Sequence, residues 1–143
     1  MRTHVAAFVL LFLGFAVGTA SAQECLHGPN ESAAQSARRR EALTATRNIN
    51  NIQANQPGAA KRQYFRHEEL SGSPFAARMR ESSNETVKRM SLNPGTDVLP
   101  DWQLTLDVTS QGYWFMIKDK VDPCGFAYVS NQVGVILHAE PIR

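Results

Sequence analysis

Residues Trp102 to Val108 alternate without a lapse: Trp102, Leu104, Leu106 and Val108 are apolar, while Gln103, Thr105 and Asp107 between them are polar. A period of two is the mark of a strand with one buried and one wet face. Three further runs follow. After Thr109-Ser110-Gln111-Gly112 comes Tyr113 to Lys118, apolar on both faces, as expected of a central strand partly covered by a helix. Phe126 to Ser130 and Val135 to His138 flank the turn-like Asn131-Gln132-Val133-Gly134. The C-terminal third therefore reads as an antiparallel meander of about four strands.

Upstream the period changes. From Glu31 to about Gln53 there is no Gly or Pro, Asn30 or Ser32 can cap the start, and Ala34, Ala42, Ala45, Ile49 and Ile52 approximate one stripe of a helix. The stripe is mostly alanine until Ile49. Only its second half can bury much apolar surface, and Arg38, Arg39 and Arg40 are expected to face mainly water. Pro57-Gly58 ends the helix. In the middle, Tyr64 to Leu70 allows a short helical turn, and Ser73 with Pro74 opens a second helix expected to run to about Leu92, where Asn93-Pro94-Gly95 stops it. The expected fold is α+β: an N-terminal amphipathic helix packed on the meander, with a second helix in the middle.

The first 22 residues read as a cleavable signal peptide. Met1-Arg2-Thr3-His4 is a short positive start, Val5 to Val17 is almost unbroken apolar sequence, and Ala20-Ser21-Ala22 is an A-x-A cleavage site. The apolar run is shorter than the roughly 18 residues a bilayer span needs. Residues 23–143 are then one exported domain, secreted or periplasmic, with no stable membrane anchor after cleavage. In an oxidising compartment the only two cysteines, Cys25 and Cys124, are expected to pair. Closing a loop of about 100 residues is worth on the order of 4 to 5 kcal/mol in the chain-entropy account. The bond is expected to be what keeps residues 25–42 docked.

Charge excludes little and suggests little. The formal net charge is +2, and loss of Arg2 leaves +1, too little to point to a nucleic-acid partner. The distribution is uneven, however: Arg38, Arg39, Arg40, Arg47, Lys61, Arg62 and Arg66 crowd the N-terminal half with Glu41 the only acid among them. A module that binds DNA or another anionic polymer through Arg38, Arg39, Arg40, Lys61, Arg62 and Arg66, with Tyr64 and Phe65 for stacking, is one alternative. A small secreted hydrolase with an unrecognised site is another. His27, His67 and His138 are its only candidate bases in the exported chain, and it requires His67 or His138 in a concave pocket beside a carboxylate. Arg66-His67-Glu68-Glu69-Leu70 lacks the second histidine of HExxH and reads as a solvated charged turn. No G-x-S-x-G elbow or phosphate-binding glycine loop is present. Asp119 and Asp122 are calcium candidates, interleaved with Lys118 and Lys120. No other cofactor is indicated, and the reading leans away from an enzyme.

The order of Arg47-Asn48-Ile49-Asn50 at the end of a long helix, then Leu99 to Asp119, then Cys124 through Ile136, resembles the soluble headpiece of type IV pilins and type II secretion pseudopilins. In those families an R-x-I-N-like helix tail packs on an antiparallel sheet that closes with a hairpin similar to Phe126 through Ile136. The resemblance implies that fold and a bacterial source. It also implies a binding or structural role toward a partner in the envelope or secretion apparatus, and some pseudopilin heads hold calcium in C-terminal loops. The start departs from the pattern: an A-x-A site followed by polar sequence stands where pilins carry a prepilin site and an apolar filament-core helix. This chain is therefore expected not to polymerise as pilins do.

Overall fold

A computed structural model describes residues 25–61 and 63–140; the expected signal peptide at 1–22 and Arg62 lie outside them. Ser32 caps the first helix, α1 (Ala33–Ala54), through a reciprocal box. The Gln35 N–H donates to Ser32 Oγ at 3.2 Å and the Ser32 N–H to Gln35 Oε1 at 2.7 Å, satisfying two helix-end donors. The buried face of α1 is Ala42, Ala45, Thr46, Ile49, Ile52 and Gln53, and Ala34 is exposed. As the alanine-to-isoleucine gradient requires, the apolar packing is concentrated in the second half. No helix among the described residues is long and apolar enough to cross a membrane.

Four strands follow as an antiparallel meander in sequence order: β1 (Trp102–Val108), β2 (Tyr113–Asp119), β3 (Ala127–Asn131) and β4 (Ile136–Ala139). The register sets Leu104 opposite Ile117 and Leu106 opposite Phe115, with Ile117 in turn opposite Tyr128. These side chains meet Ile49, Ile52, Leu70, Val98 and Trp102 in one core. Fully burying a residue such as Ile49 or Ile117 contributes about 1.5–3 kcal/mol. Gly134 takes a φ of 80° in the β3–β4 turn, a conformation costly for a residue with a Cβ.

Two amides lock the helix to its surroundings. Asn50 donates from Nδ2 to Ser130 Oγ at 2.8 Å and accepts the Tyr113 hydroxyl at 3.1 Å, tying α1 to β2 and β3. The wholly buried Gln53 pairs with the Phe65 backbone in both directions, at 2.7 and 2.9 Å, as a neighbouring strand would. This pairing leaves Tyr64 and Phe65 outside any helix; the short turn is α2 (His67–Leu70).

The long middle helix does not form. It splits into α3 (Pro74–Arg80), capped by Ser73, and α4 (Glu85–Arg89). The break falls on Ser82-Ser83-Asn84, where Asn84 Oδ1 accepts the Thr86 and Val87 N–H groups at 3.0 and 3.2 Å. Short polar side chains compete for backbone groups and favour a new cap over a continued helix. Nor is β2 covered on both faces. Tyr113, Phe115, Ile117 and Asp119 point into the core, while Trp114 is 42% exposed and Met116 half-buried on an open outer face.

Candidate functional site at the chain start

The segment Cys25–Glu31 crosses from the loop after β2 to the start of α1, and polar contacts hold it at every stage. Cys25 is disulfide-bonded to Cys124 with Cα atoms 5.2 Å apart, as expected and as fits an oxidising compartment. The Leu26 N–H donates to Asp122 Oδ1 at 2.8 Å, and the same carboxylate accepts the Phe126 and Cys124 N–H groups at 2.9 and 3.3 Å. Burial works to raise the Asp122 carboxyl, but the N–H groups of Leu26, Phe126 and Cys124 outweigh it and leave it below its ordinary value.

His27 is inserted between helix and sheet. Its Nδ1 lies 2.8 Å from Glu31 Oε1 and its Nε2 lies 2.9 Å from Asp119 Oδ2. The ring is buried, 4.6 Å from the Phe126 ring and 5.8 Å from that of Trp102. Both ring nitrogens thus face a carboxylate oxygen. Each carboxylate also has an arginine. Arg39 forms a fork on Glu31 at 2.8–3.1 Å. Arg38 donates to Asp119 Oδ1 at 3.0 Å, lies 3.9 Å from Asp101, and rests over the Trp102 ring. The Arg39 guanidinium, with help from His27 against the effect of burial, holds the Glu31 carboxyl below its usual range.

The arrangement alters several sequence-based expectations. Arg38 and Arg39 do not face mainly water; both are committed to internal ion pairs. Arg40 bonds Ser36, and Lys61 and Arg66 are exposed. Tyr64 and Phe65 pack against the core, Tyr64 edge-on to Tyr113 at 4.8 Å, which withdraws them from base stacking. All four carboxylate oxygens of Asp119 and Asp122 receive N–H donors. That is a shell built for anions, and it does not fit calcium, which needs about 6 to 8 oxygen ligands. Among the described residues no group of three or more His, Cys, Asp and Glu side chains is placed to hold a metal. The disulfide has ionic companions, so it is not alone in docking residues 25–42.

Sequence reasoning missed this network, although two signals were there. His27 and Glu31 stand four apart. Asp119 ends the inward-facing series Tyr113, Phe115, Ile117, and an acid on a core face needs a partner.

The remaining histidines lie apart. His67 is half-buried in the short α2, and burial pushes its pKa down against a weaker opposing effect of Glu68. His138 stacks on Phe126 and lines a cavity of about 350 Å³ with His27, Gly28, Pro29, Arg39 and Glu140. Its Nε2 is 3.9 Å from Glu140 Oε1, and both side chains are more than half exposed. Compared with known proteins, the chain matches no family model, no curated protein and no solved structure.

Proposed function

We propose that this chain is an exported, non-enzymatic, pilin-like domain whose outer sheet face docks on a protein partner of the cell envelope or secretion apparatus. The observation that carries the reading is the composition of that face. Met116, Val129 and Leu137 line up across β2, β3 and β4, with Trp114 beside them. Trp114 is 42% and Leu137 63% exposed, and Val133 and Val135 extend the strip into the β3–β4 hairpin. Contiguous aromatic and aliphatic surface on one sheet face is the composition of a protein interface core. Lys118 is the one cation among the outward-facing strand residues, which favours a protein over an anionic polymer. The position of Arg47-Asn48-Ile49-Asn50 supports the pilin-like reading, since Ile49 enters the core and Asn50 ties helix to sheet.

The test is partition of the exported protein between soluble and envelope-bound fractions, comparing wild type with a Trp114→Glu, Leu137→Glu double variant. Both substitutions lie on the open face, so the variant keeps its circular dichroism, melts somewhat lower because Trp114 donates to Asp107 opposite it, and leaves the bound fraction. An unchanged partition of the folded variant would refute the reading.

A second reading is favoured by one observation, His138 beside Glu140 in a cavity. It would make His138 a general base in a small hydrolase. The cavity wall carries no Ser, Thr or Cys, so water would have to be the nucleophile. Hydrolysis of ester, amide or glycosidic substrates that disappears in His138→Ala supports this reading; equal rates in both proteins dismiss it.

A further inference from the structure

The segment from Cys25 to Glu31 is fixed by two kinds of bond that open under different conditions. One is the disulfide at its first residue. The other is a run of hydrogen bonds to three carboxylates: Asp122 on Leu26, Asp119 on His27, and Glu31 itself on His27 and Arg39. Beneath lie apolar ring faces, Phe126 and Trp102, both buried. The N-terminal turns of α1 contribute little apolar anchorage, since the first buried residue of the helix is Ala42.

We propose that Cys25–Glu31 is a releasable strap with two locks, one opened by reduction and one by acid, and that only their joint opening lifts it to uncover the Phe126–Trp102 end of the core.

The locks are chemically independent. Reduction by a phosphine cleaves S–S with two electrons, the two sulfurs gain two protons from water, and the water oxygen leaves as phosphine oxide. No carboxylate is touched. Acid protonates the carboxylates and leaves the disulfide intact. Glu31 meets Arg39 of α1, His27 of the strap and, at longer range, Tyr128 of β3. Asp119 meets Arg38, His27 and the Val121 N–H. Asp122 meets three backbone N–H groups and the field of His27. Glu31 and Asp122 have carboxyls held below their ordinary values of 4.5 and 3.8. Their docking contribution is therefore complete above those values and is lost as pH falls through the lower folded-state values. Asp122 sits beside the disulfide, accepting the Leu26 N–H next to Cys25 and the N–H of Cys124.

The test is amide exchange of Leu26, corrected for intrinsic rate, in the full exported chain at pH 7 and pH 2, each with and without a phosphine. The Phe115 and Ile117 amides of β2 report the sheet. With one lock open, Leu26 loses less than about tenfold in protection, because the lock left closed still holds the segment in place, whereas full loss of one hydrogen bond to a charged group costs about tenfold or more. With both open, Leu26 protection falls by at least about a hundredfold, as two or more such bonds go, while β2 stays protected. Full release by reduction alone, full release by acid alone, or joint loss of Leu26 and β2 protection each overturns the proposal. Asp122→Ala with Asp119→Asn in a Cys25→Ser, Cys124→Ser chain, which removes the acceptor of the Leu26 N–H and the charge facing His27, gives a second check at pH 7. With the sheet folded, a free Leu26 amide is expected and a protected one contradicts the proposal.

Discussion

Replacing both cysteines with serine removes the covalent lock and leaves every carboxylate in place. The bond joins positions 99 apart. For a loop of that length the chain-entropy account puts the contribution at about 4.7 kcal/mol. This is a large share of the roughly 5–15 kcal/mol by which domains are stable. At about 4 °C per kcal/mol for a domain of this size, Tm should fall by roughly 15–20 °C. The loss arises in the unfolded chain, which regains its freedom, and only secondarily in the folded one, where His27, Asp119, Arg38 and Asp122 still hold the chain start. Urea unfolding therefore shows a lower midpoint, while the native near-ultraviolet spectrum at pH 7, sensitive to Trp102 beneath the strap, stays nearly unchanged. A stability loss below about 1 kcal/mol would refute the entropy reasoning. A large change in the native spectrum would show that the ionic network cannot dock the strap unaided.

Other outcomes follow from single residues. Because the Glu31 and Asp122 carboxyls are held low, the Tm of the disulfide-intact protein is expected to decline as pH drops below about 4.5, and Asp122→Asn should flatten the decline; parallel curves for the two would contradict this. The Tyr113 hydroxyl is pushed up to about 12, by burial first and then by Tyr64, so stability from its protonated form is present below 10 and lost as pH rises through 12. Ultraviolet titration should show a phenol ionising near 12 in the wild type and one fewer high-titrating phenol in Tyr113→Phe. Asp101 has a φ of 66° in the turn closed by the Trp102 N–H on Leu99, a conformation that costs an L-residue about 1–2 kcal/mol. Asp101→Gly should raise the unfolding free energy by about 0.5 kcal/mol after glycine's added chain entropy; a loss would mean that the distant Arg38 contact outweighs the strain.

The elements with strict periodicity were legible in the amino-acid order. The alternation from Trp102 to Val108 marks β1 residue for residue, and α1 begins and ends within two residues of the Gly- and Pro-free run. The disulfide was legible because two cysteines leave one choice. The helix expected from Pro74 to Leu92 failed because apolar spacing there was loose, and the caps at Ser73 and Asn84 decided the outcome locally. The open outer face of β2 was hidden because Trp114 and Met116 are apolar whether or not anything covers them. The ionic network was hidden for a different reason. His27 and Asp119 are 92 positions apart, and only the fold brings them together. An arginine run on a helix looks solvated until the sheet supplies an inward-facing aspartate.

On the proposed reading, the outer sheet face is covered in the protein's working location. Hydroxyl-radical footprinting of intact cells, set beside the purified protein, reports whether it is. Trp114, Met116 and Leu137 should be modified in the purified protein and protected in cells, whereas exposed Lys61 and Arg66 on the helical side should show equal modification in both. Equal modification of Trp114, Met116 and Leu137 in the two settings would contradict the claim.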